Sequence, residues 1–104
     1  MKKHEENTQA WEIQIRVPLM RGKEGVVTVA SAWDHLLGCL RYYAPDLVVE
    51  HFGAVIRTHT YAQSFCVIKT QNRDTRKMEG ELAVFQHPLF QDFKLKSKKI
   101  RWKK

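Results

Sequence analysis

Arg57 and His59 stand two residues apart in VIRTHTY, and His87 follows later in FQHPLF. On a strand, residues two apart share one face. A face that carries Arg and His can hold a phosphodiester, with His as general acid or base and Arg stabilising the developing charge. Arg57, His59 and His87 are therefore the candidate catalytic residues, and the chemistry would be metal-independent RNA cleavage. A solvated strand face carries the same residue types, and so short a pattern supports catalysis only as the alternative reading.

Metal chemistry has less behind it. His35 and Cys39 lie one helical turn apart, and His51, His59 and His87 supply further imidazoles. No recognised ligand spacing joins them, so no metal and no cofactor is expected. Gly22 and Gly25 lack the spacing of a phosphate-cradling loop, and HExxH, paired CxxC and GxSxG patterns are absent.

The strongest chemical pattern is cationic. The segment KLKSKKIRWKK holds seven of the eighteen Lys and Arg: Lys94, Lys96, Lys98, Lys99, Arg101, Lys103 and Lys104. All eleven acids precede it, so residues 1–93 balance to zero and the net charge of +7 belongs to this end. A neutral body with a cationic end points to an anionic partner. Lys and Arg neutralise phosphates, and Trp102 adds a ring on which an unpaired base can stack. Arg73, Arg76 and Lys77 in the polar stretch QNRDTRKMEG extend the same chemistry. An anionic membrane calls for an amphipathic helix with several bulky apolar residues, which this end lacks. A nuclear-import signal needs the cations but not Trp102. A purely solubilising end accounts for the charge alone.

The elements that must position these residues follow from periodicity. WEIQIRVPL alternates as a half-buried strand closed by Pro18, and RGKEG is a turn. VVTVA reads as a second short strand or as an irregular lead-in. In SAWDHLLGCLRYYAP, Trp33, Leu36, Leu37 and Leu40 recur at helical spacing, with Ser31 and Asp34 as a capping box and Pro45 as the stop. LVVEHFGAVIRTHTY is a long strand bent at Gly53, and AQSFCVIKT its hairpin partner. ELAVFQH reads as another strand, and PLFQDFKLK as a short helix opened by Pro88. Phe52, Ile56, Phe65, Val67, Leu82 and Val84 are expected in the core.

The expected fold class is α+β: one antiparallel sheet of about four to five strands, one main amphipathic helix packed on it, and a basic C-terminal tail. Residues 1–93 form a single domain and residues 94–104 the tail, whose last few residues could pair on the sheet edge and set the cations in a ridge. At 104 residues with 43% hydrophobic content, the chain is large enough to bury a core without staples. Cys39 and Cys66 sit among apolar residues as free thiols, and Glu5, Glu6 and Asn7 occupy the place where a secretory leader needs apolar residues. The expected setting is cytoplasmic.

SAWDHLLGCLRYYAPDLV and the later VFQHPLF resemble the pattern of one RelE-type toxin group, small messenger-cleaving proteins with one sheet packed on helices. The resemblance covers less than a third of the chain, and WEIQIRVPL with its turn stands where that group has a long helical region. It implies messenger-cleaving ribonuclease activity, for which His59 or His87 with Arg57 are the candidates among these residues.

The leading expectation is a small accessory protein that binds DNA or RNA, single- or double-stranded, in a sequence-tolerant way. It would use the basic end and the Arg73–Lys77 stretch. A third reading is an adaptor or inhibitor of mobile-element type that docks on an acidic protein surface.

Overall fold

The computed structural model describes residues 8–19, 25–53 and 55–102. The polar segment before Thr8, most of the RGKEG turn, and Lys103 and Lys104 lie outside the described residues. Within the first helix, side chains are described from Thr28 onward.

The elements run β1 (Gln9–Pro18), α1 (Gly25–Tyr43), β2 (Val48–Phe52), β3 (Ile56–Arg57), β4 (Tyr61–Thr70), α2 (Arg76–Val84) and β5 (Lys94–Ile100). The five strands form one antiparallel sheet in the order β2-β4-β1-β5, with β3 also paired to β4. With β2 and β3 taken as one interrupted edge strand, this is the split βαβ arrangement. The α+β class and the strand number agree with the sequence reading.

In β1, period-2 alternation sends Trp11, Ile13, Ile15 and Val17 inward, where all four are buried. The α1 stripe meets them with Val29, Ala32, Trp33, Leu36, Leu37 and Leu40. Full burial of one such aliphatic side chain contributes about 1.5–3 kcal/mol. Pro45 follows the end of α1, and the Ala44 N–H closes the last turn on the Leu40 carbonyl at 2.9 Å.

Several expectations are corrected. VVTVA is neither strand nor lead-in: α1 begins at Gly25, so Ser31 lies exposed inside the helix and is not its cap. The buried positions Thr28 and Val29 continue the Ala32–Trp33 stripe one turn back. Their burial outweighs the small helix penalty of β-branched residues. ELAVFQH is not a strand. Its first half belongs to α2, whose Met78 and Leu82, four apart, face the core. PLFQDF is not a helix but an irregular turn that buries Phe90 and Phe93.

The core list changes too. Leu82 is buried, but Phe52 is 50%, Ile56 58% and Val84 73% exposed. Phe65 and Val67 are half-buried on the face of β4 away from the helices, while Ala62, Ser64, Cys66 and Ile68 face inward. The reason is steric: small residues on this central strand let α1 approach. The Trp33 indole sits there and donates to Ser64 Oγ at 3.2 Å.

The bend at Gly53 is a break between β2 and β3. A Cβ at Gly53 would overlap the Phe65 ring, so only glycine lets the backbone pass. The boundary expected between residues 93 and 94 falls at the start of β5. Residues 94–100 belong to the sheet, paired along β1 from Arg16↔Lys94 to Ala10↔Ile100.

Candidate nucleic-acid interface

Strand register decides where the cations go. Pairing sets Lys94 opposite Arg16, Lys96 opposite Gln14 and Lys98 opposite Glu12. These β1 positions alternate with the buried ones, so Lys94, Lys96 and Lys98 lie on the face without helices. On the other side of β1, Phe65 pairs with Gln14 and Gln63 with Arg16. The open face therefore carries a lysine row along edge strand β5, polar residues on β1, and an aromatic residue with an amide on β4.

These side chains enclose two adjoining depressions. The larger, about 480 Å³, is lined by Glu12, Gln14, Gln63, Phe65, Lys96 and Lys98, together with Ile56, Ser64 and Ser97. The smaller, about 230 Å³, shares Gln14, Gln63 and Lys96 and adds Arg16 and Lys94. Together they make a groove parallel to the lysine row.

Electrostatics distinguish the cations. The ion pairs among the described residues are Lys69–Glu50 at 3.3 Å, Arg76–Asp74 at 3.1 Å and Lys99–Glu79 at 4.0 Å. Lys94, Lys96 and Lys98 take part in none of them, and all three are exposed. Lys99 has the opposite parity: it donates to Gln9 Oε1 at 2.8 Å and lies 5.5 Å from the Trp11 ring. Arg101 is exposed beyond the strand.

The aromatics differ in the same way. Lys69 Nζ lies over the Trp102 ring at 4.5 Å, and the Arg16 guanidinium over Tyr61 at 4.2 Å. Arg16 also donates to Gln63 Oε1 at 3.3 Å. Among the described residues, Phe65 has no cation over its ring; it meets His51 at a centroid separation of 5.7 Å.

Arg73 is exposed in the loop after β4, while Arg76 and Lys77 begin α2 in the helical layer. Arg76 is tied to Asp74, whose carboxyl it holds below the usual range through hydrogen bonds and charge. Arg76 and Lys77 therefore lie in the helical layer, away from the face of the lysine row.

The structure does not bring the three catalytic candidates together. Arg57 and His59 are exposed at the hairpin between β3 and β4. His87 is 6% exposed, against Phe90, Phe93 and His35 with centroids 4.3, 5.6 and 4.9 Å away. Its Nδ1 accepts the Leu89 N–H at 3.0 Å, and burial, helped by His35, pushes its pKa down. Its Nε2 is buried and has no hydrogen-bond partner among the described residues. His35 and Cys39 do line one depression between the helices, with Asp34 and Glu81, but no metal-holding group of three or more is found among the described residues. Burial pushes the Cys66 thiol up to about 12.

Sequence reasoning missed Gln14, Arg16, Gln63 and Phe65. The available signal was QSFCVIK itself, in which Ser64, Cys66 and Ile68 share one parity while Gln63, Phe65 and Lys69 share the other.

No helix among the described residues is long and apolar enough to cross a membrane. No family model matches the chain, and no curated protein matches it. Among solved structures, the fold is similar to that of a de novo designed protein, Foldit4. The TM-score is 0.55 and the identity 13%, over 92% of this chain and 99% of that one. The likeness concerns the fold alone.

Proposed function

We propose that the protein is a small nucleic-acid-binding protein that grips phosphates, with little regard to sequence, along the open face of its sheet. The observation that carries this reading is the row Lys94, Lys96 and Lys98, exposed and outside every ion pair among the described residues, beside a groove that contains Phe65. Lysines at alternate strand positions are about 6.8 Å apart along β5, so each can meet a separate phosphate. Elsewhere on the chain, cations are offset by acids, which leaves this end to supply the long-range attraction. Free thiols at Cys39 and Cys66 suit a reducing, cytoplasmic setting.

The test is a titration of labelled DNA and RNA, single strand and duplex, at several salt concentrations. Lys94→Gln, Lys96→Gln and Lys98→Gln combined should weaken binding and lower the slope of log K against log salt by roughly 2–3, at 0.7–0.9 per lost contact. Lys99→Gln, on the other face, should change the slope much less. No binding by the parent, or an unchanged slope in the triple variant, overturns the proposal.

A further inference from the structure

We infer that the groove over Phe65 receives an unpaired base, so that the ligand class is single-stranded nucleic acid and not duplex. This rests on the nucleic-acid reading above and adds which form is bound and where the base sits. Three observations carry it. Phe65 is half-buried, braced by His51 and by the close passage of the Gly53 backbone, yet it lines an open groove. It is the aromatic of this face whose ring no cation covers among the described residues, whereas Tyr61 and Trp102 already carry Arg16 and Lys69. Stacking against a base needs such a free ring.

The groove's polar lining belongs to a base edge more than to a phosphate. Gln63 gives its Oε1 to Arg16 and keeps its amide N–H groups to donate. Gln14 offers both a donor and an acceptor. The Glu12 carboxylate accepts only, repels phosphate and favours an exocyclic amino group. Lys96 and Lys98 line the groove from the edge strand, where a backbone would run while its base turns inward. Bases of a duplex have both faces stacked and both edges paired or in grooves, so none can lie flat on Phe65 without being extruded.

The experiment compares a labelled single strand with a hairpin duplex of the same composition at one salt concentration, by fluorescence anisotropy. The parent and Phe65→Leu are both measured. Leucine keeps apolar bulk beside Gly53 and removes the stacking plane; a thermal melt by circular dichroism confirms that the variant is folded. The parent should bind the single strand at least tenfold more tightly. Phe65→Leu should lose roughly 5- to 100-fold on the single strand, with the salt slope unchanged and duplex binding unaltered. Equal parental affinity for both forms, with a lysine-dependent slope, overturns this inference and leaves the proposed function standing. A single-strand preference that survives Phe65→Leu also overturns it, because the base then sits elsewhere. Absence of binding to either form removes both proposals.

Discussion

The two faces of the sheet are built from the same strands by opposite rules. On the helix-covered face, β4 presents Ala62, Ser64, Cys66 and Ile68, all buried. On the open face the same strand presents Tyr61, Gln63, Phe65, Val67 and Lys69, all half-buried. Ala62, Ser64 and Cys66 are small under α1 because a helix must come close to pack. Larger and mixed residues lie on the side that no helix covers, where neighbours within the sheet and its loops pack on them only in part. β5 repeats the contrast: Leu95 faces the interior, while Lys94, Lys96 and Lys98 face outward. The lesson is that stability rests on one face and the unexplained chemistry on the other.

Substitutions can break that division, and the largest effect should come from the covered face. Leu40 is fully buried among core residues. Leu40→Ala should cost about 2–5 kcal/mol of unfolding free energy, from lost transfer and an unfilled cavity. Lys96→Ala on the open face should stay within about 0.5 kcal/mol. Urea denaturation of both variants measures the gap; similar losses would erase the distinction.

A medium effect should follow from Ser64→Ala. It leaves the buried Trp33 Nε1–H without its acceptor, at a cost of about 1–3 kcal/mol. The Ser64 side chain is turned to Trp33 while the residue also borders the groove, so nucleic-acid affinity of the folded variant should change far less than that of Phe65→Leu. Denaturation paired with the anisotropy titration checks both halves.

The smallest effect should come from pH. His87 is buried with its pKa below the ordinary value of 6.5. The unfolded chain therefore takes up the proton first, and protonation favours unfolding. This contribution to stability is fully present above pH 6.5 and declines as pH falls below it towards the depressed value. Melting temperature should drop between pH 7.5 and 5.5. In His87→Phe, which packs among Phe90 and Phe93, the drop should be shallower. An equal drop in both proteins would assign the pH dependence to another group.

Much of the fold was legible because two periods were strong. The alternation in WEIQIRV and the helical spacing of Trp33, Leu36, Leu37 and Leu40 identify β1 and the body of α1. The start of α1 was hidden by β-branched VVTV, and α2 by Gly80 within RKMEGELAV and by the apolar Val84 beyond Leu82. The candidate site was half legible. Its lysines stood out as a charge run, but their company on the open face did not. Gln14 and Arg16 read as ordinary solvent-facing residues, and Phe65 as core.

By itself, the sequence determined the class of the fold and the location of the excess charge, since both depend on composition and short-range periodicity. Only tertiary structure decided which parity of β4 faces α1, because both parities contain large apolar residues, Phe65 and Val67 on one and Ile68 on the other, and the packing sets Trp33 against Ser64. Only pairing with β1 made a strand of KLKSKKI, which has too few apolar residues to specify one. That same register turned Lys94, Lys96 and Lys98 to one face and Lys99 to the other, because a strand in a sheet alternates its side chains strictly while an unpaired chain does not.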